Sequence, residues 1–136
     1  GHLGILDQKN DAAIIIDAAL ETGIYDRAGN RLLPPRYFDA TGYQNTIRRL
    51  HSMRPGHLLT AHYQPMRGEK ALDFLERSLD FTMQVQRVVG EGLENGTIDL
   101  WELTKHADAE LGPYPASMVE LGAGVRTHLG LLGPNG

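Results

Sequence analysis

The sequence contains no cysteine, and that absence removes several kinds of chemistry at once. Without cysteine among its 136 residues, the chain forms no disulfide and carries no thiolate nucleophile or cysteine-bound zinc. Any metal ion must therefore be held by histidine and carboxylate side chains. The lack of disulfides also fits a reducing compartment.

Long hydrophobic runs and an excess of basic residues are missing as well. No apolar stretch approaches the roughly 18 residues of a membrane helix, and the chain does not open on a basic segment followed by an apolar one. The formal net charge of −4 argues against a general binder of polyanions. We therefore expect a cytoplasmic protein with no membrane segment.

The first twenty residues predict a β-hairpin. An apolar run over residues 3–6 enters a polar turn at Gln8-Lys9-Asn10, and a second run over residues 12–16 follows it. That second strand is apolar at consecutive positions, which predicts burial on both faces within a layered α/β structure.

A carboxylate stands directly after this second strand. Asp17 follows three isoleucines, and a charge placed there must be paired, hydrogen-bonded or metal-bound if it is buried. The simpler alternative is an aspartate that caps the following turn. Both interpretations stay open on the local pattern.

A histidine ends the next predicted strand. After a long loop, a short amphipathic helix is predicted over residues 43–53 and a strand over residues 57–62, which finishes on His62. A strand that delivers an imidazole to its carboxyl end is one way that α/β proteins present a metal ligand or a catalytic base. The simpler alternative is a half-buried histidine at a strand end.

The rest of the chain is predicted to be helical. A long helix is expected from residue 68 to about residue 89, where Gly90 and Gly92 should stop it. Asp99 then predicts a capped helix start, and Pro115 suits the first position of a last helix. The expected division is a first domain over residues 1–90 and a helical extension over residues 97–136.

Three segments together resemble the C-terminal half of a metallo-β-lactamase-fold hydrolase, the superfamily that includes glyoxalase II-type thioesterases. They are "GHLGILDQKNDAAIIIDAAL", "PPRYFDATGYQNTIRRLHSM" and "PGHLLTAHYQPMRG". The resemblance implies an α/β fold consisting of the C-terminal half of an αββα metallo-β-lactamase sandwich, followed by a helical tail. It also implies that Asp17 and His62 are ligands of a two-metal site, with zinc as the expected ion.

The chain departs from the pattern of that superfamily at three points. The histidine-rich motif that supplies most metal ligands lies in the N-terminal half of the fold and is absent from this sequence. A Gly-His ligand before the hairpin is also missing, and His2 stands where a second, non-ligating Gly-His often follows it. Finally, Ile16 replaces the glycine that usually precedes the aspartate.

These departures set the functional expectation. The superfamily hydrolyses a thioester, an ester or a related bond with a metal-held hydroxide, and zinc takes about four ligands, of which Asp17 and His62 supply two. We expect the chain to be the C-terminal portion of such an enzyme and inactive by itself. Its expected partners are the missing N-terminal half, a second copy of the chain and, in the complete protein, a small-molecule substrate.

A binding module is the competing interpretation. The extension over residues 97–136 resembles the winged-helix-like helical extension that some members of the superfamily carry, and winged helices often bind DNA. Its charge argues against nucleic acid, because two basic residues, Lys105 and Arg126, face five acidic ones, Asp99, Glu102, Asp108, Glu110 and Glu120. We therefore expect packing or dimerisation from this extension.

Overall fold

The computed structural model describes residues 4–114 and 118–133 and has a mixed α/β fold, as expected. Its elements in chain order are the strands β1 (Ile5–Asp7), β2 (Ala12–Ile16), β3 (Ile24–Tyr25) and β4 (Arg31–Leu33), helix α1 (Ala40–Met53), strands β5 (His57–Thr60) and β6 (Met66–Arg67), and helices α2 (Glu69–Glu94), α3 (Leu100–Leu111) and α4 (Met118–Leu132). Within the described residues, no helix is both long and apolar enough to cross a membrane.

The chain divides into two compact units. Unit 1 comprises residues 1–21 and 41–80, and unit 2 comprises residues 22–40 and 81–136. Both units are therefore built from two separate stretches of chain. The expected division into residues 1–90 and 97–136 stays a prediction.

Unit 1 is built on a four-stranded sheet in the order β1-β2-β5-β6. The predicted hairpin is confirmed, because β1 and β2 pair antiparallel, with Ile5 opposite Ile14; residues 1–3 of the predicted first strand lie outside the described residues. Strand β5 runs parallel to β2, and β6 pairs antiparallel with β5. The carboxyl ends of β2 and β5 therefore meet at one edge of the sheet.

Helices α1 and α2 cover one face of this sheet. Ala13, Ile15 and Leu58 point from the strands into a core that also holds Ile47 of α1 and Phe74 of α2. Burying these apolar side chains is the main force that holds the helices on the strands, at roughly 25 cal/mol for each Å² removed from water.

The other face of the sheet is only partly covered in unit 1. Burial alternates along β2, because successive side chains point to opposite faces, so the predicted burial of both faces is wrong for this strand. Ile5 and Ile14 share the second face, and Ile5 is 63% exposed.

Unit 2 has a two-stranded sheet and a helical core. Strands β3 and β4 pair antiparallel around a turn in which the carboxylate of Asp26 accepts hydrogen bonds from the backbone of Ala28 and Asn30, both at 2.8 Å. This region was predicted to be a loop, and both strands are too short for a periodic pattern to reveal. The core joins α3 and α4 to the second part of α2.

Helix α2 continues five residues past the predicted stop. Gly90 and Gly92 lie inside it, and the helix ends near Gly96, which adopts a φ of 81°. A side chain at position 92 would collide with the end of Leu103 on α3. Gly92 therefore permits close helix packing, whereas the sequence pattern suggested a helix stop. Asp99 caps α3 as predicted, while the predicted helix position of Pro115 lies outside the described residues.

Candidate functional site

The sheet of unit 1 brings Asp17 and His62 together. The Nε2 atom of His62 lies 3.3 Å from the Oδ1 atom of Asp17. Asp17 follows β2 directly. The prediction that the next strand finishes on His62 is wrong, because β5 ends at Thr60 and His62 lies two residues further, in the loop. The parallel pairing of Ile16 with Thr60 therefore explains why two residues that are distant in the sequence become neighbours.

Backbone contacts fix both segments at this edge. The amide of Ala61 donates to the carbonyl of Ile16 at 3.1 Å, and the amide of Ala18 donates to the carbonyl of Ile15 at 2.9 Å. The loop that carries His62 is thus bonded to the end of β2. The separation of the two candidate side chains is set by the main chain on both sides.

Tyr63, the residue after His62, holds the loop from the inside. Its hydroxyl donates to the carbonyl of Leu20 at 2.9 Å, and its amide donates to the hydroxyl of Thr60 at 3.1 Å. The ring also packs edge-on against Phe74, with 4.8 Å between the ring centroids. Tyr63 was not singled out in the sequence, although an aromatic residue beside a candidate ligand is a usable signal.

The Oδ1 atom of Asp17 is buried without a well-formed hydrogen bond. His62 is close enough for an ion pair when its ring is protonated, but that contact does not meet hydrogen-bond geometry. A buried carboxylate oxygen without a donor is costly, and a bound cation would compensate it. The side chains of Asp17 and His62 are 34% and 38% exposed, so each is partly open to solvent although the Oδ1 atom of Asp17 is not.

The charge of Asp17 acts on Tyr43, a buried residue of helix α1. Burial raises the pKa of the Tyr43 hydroxyl, and the negative charge of Asp17 acts in the same direction. The electrostatic coupling indicates that this buried phenol lies near the carboxylate of Asp17.

Ile16 has an unusual backbone for a β-branched residue. Its φ of 52° lies in the left-handed region, which costs an L-residue roughly 1–2 kcal/mol and which glycine adopts freely. The register shift between Ile14 and Ile16 places a bulge at the same point. This backbone explains why glycine would suit position 16.

Donor atoms at this site are few. Over residues 4–114 and 118–133, no group of three or more His, Cys, Asp or Glu side chains is arranged to hold a metal ion. Asp17 and His62 are a carboxylate and an imidazole, which are donor types that zinc accepts. They fit two positions of a zinc coordination shell.

Three other histidines do not take part in this pair. The Nε2 atom of His51 lies 3.0 Å from the Oε1 atom of Glu76 on the surface of unit 1. His106 is exposed. His128 is fully buried in unit 2, where its Nε2 atom lies 3.0 Å from the hydroxyl of Tyr37.

No family model matches the chain, and no curated protein matches it.

Proposed function

We propose that this chain is the C-terminal portion of a metal-dependent hydrolase with the metallo-β-lactamase fold, and that Asp17 and His62 are two of its metal ligands. The 3.3 Å separation of the two side chains, at the meeting carboxyl ends of parallel strands, is the observation that carries the proposal. The sheet with two helices on one face is compatible with half of an αββα sandwich.

The chemistry follows from the types of donor. A bound zinc ion would act as a Lewis acid that polarises the scissile carbonyl and lowers the pKa of a water molecule. The chain's own contribution is to hold a carboxylate and an imidazole at a fixed separation. Tyr63 orients the loop of His62 through its hydrogen bonds to Leu20 and Thr60.

The proposal requires ligands from another segment. Zinc takes about four protein ligands, or three and a water, and the N-terminal half of the fold would supply the remainder. The partly exposed face of the sheet in unit 1, with Ile5 and Ile14, is the surface that this half or a second copy of the chain would cover. The substrate would be a small molecule with a thioester, an ester or a related bond.

A zinc titration followed by side-chain NMR of the histidines tests the proposal. His51 and Glu76 provide a matched control in the same unit, since they are also a histidine and a carboxylate, 3.0 Å apart. We expect zinc to shift the ring nitrogens of His62 at lower concentration than those of His51. The variant Asp17→Asn should remove this preference, whereas Glu76→Gln should leave it intact.

Two outcomes would contradict the assignment. One is an equal response of His62 and His51 to zinc, which would indicate ordinary surface binding. The other is an unchanged response of His62 in the Asp17→Asn variant, because a ligand pair cannot lose its carboxylate without losing affinity.

A further inference from the structure

A groove in unit 2 has the composition of a small-molecule site. Its volume is about 450 Å³, within the range of roughly 300–1,000 Å³ that is usual for ligand pockets. The side chains and backbone of nine residues line it: Phe38, Asp99, Leu100, Trp101, Thr104, Val119, Gly122, Ala123 and Arg126. Most of this lining is apolar.

The apolar walls of the groove are unusually open to solvent. Val119 is 74% exposed, Phe38 is 71% exposed and Trp101 is 48% exposed. Large apolar side chains that are exposed together around a concavity are typical of a binding surface.

Arg126 supplies the groove with a positive charge that is not neutralised. Within the described part of the chain its guanidinium has no hydrogen-bond or ion-pair partner. The one carboxylate in the lining, Asp99, accepts hydrogen bonds from the amides of Trp101 and Glu102, both at 2.9 Å. The hydroxyl of Thr104 is also engaged, since it donates to the carbonyl of Leu100 at 2.7 Å.

A second arginine near the groove differs in this respect. Arg36 lies 3.2 Å from Glu120, and its guanidinium stacks over the ring of Phe38, 5.1 Å from the centroid. Its charge is therefore already paired. Arg126 is the basic side chain in the groove that remains available to a ligand.

We infer that this groove binds a small amphipathic anion, with an aliphatic or aromatic body against Phe38, Trp101 and Val119 and a carboxylate paired to Arg126. Guanidinium and carboxylate match in charge and in geometry, and an apolar body of modest size fits the volume. This inference concerns unit 2 alone, and it does not depend on the metal site proposed above.

The sole tryptophan of the chain makes the test direct. Trp101 is the only tryptophan and it lines the groove, so its fluorescence reports on this site without a label. Octanoate and its neutral analogue octanamide are suitable probes, because they share the apolar body and differ in the charged group. The variants are Arg126→Gln and, as a matched control, Arg36→Gln.

We expect octanoate to change the Trp101 emission with saturation, and octanamide to bind about tenfold more weakly, as the loss of one charge-assisted hydrogen bond predicts. In Arg126→Gln the two probes should bind alike, whereas Arg36→Gln should keep the preference for octanoate. The unliganded emission spectrum of each variant verifies that the groove is still folded.

Three results would overturn the inference. The first is no saturable response to either probe. The second is an unchanged preference for octanoate in Arg126→Gln. The third is a light-scattering mass of two chains that falls to one in the variant Val119→Ser, which would show that a second copy fills the groove.

Discussion

The left-handed backbone at Ile16 predicts that a glycine variant is more stable than an alanine variant there, the reverse of the usual order in a strand. In an ordinary strand, glycine is less stable than alanine by roughly 0.5–1 kcal/mol, because it loses more freedom on folding. At Ile16, with a φ of 52°, alanine pays the left-handed cost of roughly 1–2 kcal/mol and glycine does not. Glycine should therefore be the more stable replacement there by about 0.5–1 kcal/mol.

Ile14 provides the matched site in the same strand. It pairs with Ile5 and Leu59, and it is not among the residues with positive φ. Comparing glycine with alanine at each position cancels the loss of the isoleucine side chain, which is exposed at position 16 and partly buried at position 14. The difference between the two sites should be about 1–2 kcal/mol.

Urea unfolding of Ile16→Gly, Ile16→Ala, Ile14→Gly and Ile14→Ala measures this difference. The free energy of unfolding falls by about 2 kcal/mol for each M of urea, so the difference between the two sites corresponds to roughly 0.5–1 M in the unfolding midpoint. Hydrogen exchange of the amides in β2 and β5 assigns the effect to unit 1. If alanine is more stable than glycine at both positions, Ile16 is not strained and the reasoning fails.

Two further predictions concern unit 2, and both can be followed by the emission of Trp101. Burial lowers the pKa of His128 from 6.5 to about 4, so the unfolded state binds an additional proton between these values and stability should fall by up to about 3 kcal/mol as the pH drops from 6.5 to 4. His128→Gln should reduce this dependence of stability on pH, and the control His106→Gln, at an exposed position, should not. Equal stability profiles against pH for the unaltered protein and both variants would contradict the assignment of the effect to the buried His128. Gly23→Ala should lower the free energy of unfolding by more than about 2 kcal/mol, because Gly23 has a φ of 136° and the new Cβ would collide with the carbonyl of Leu33. The control Gly29→Ala should lower it by only about 1 kcal/mol, because Gly29 has a φ of 84° and open space around it. Equal losses in the two variants would show that the backbone of Leu33 moves to accommodate the new side chain.

The hairpin, the helices and the strand before His62 could be predicted because each has a local signal. Residues 40–53 and 69–94 contain apolar residues at helical spacing over their whole length. Asp99 is a favourable N-cap residue, and in the structure its side chain accepts two backbone hydrogen bonds at the start of α3. The short strands β3 and β4 could not be predicted, since two or three residues contain no period. Their position depends on hydrogen bonds between chain segments.

The candidate site was predictable only in its two most polar residues. Asp17 and His62 were identified by their positions after apolar runs, and the structure places them 3.3 Å apart. The role of Tyr63 depends on its hydrogen bond to the carbonyl of Leu20, which no local pattern encodes. The open groove with Arg126 also went unpredicted, because exposed apolar residues far apart in sequence form it.

The interleaving of the two units has a consequence for how this chain can be divided. Residues 22–40 belong to unit 2, where Tyr37 meets His128 and Arg31 donates to the carbonyl of Leu111. A single cut between the long helix and the extension would therefore strip partners from residues that precede the cut by more than fifty positions. The same arrangement affects folding during synthesis. Residues 22–40 leave the ribosome well before α4, so their contacts with that helix can form only after it has emerged.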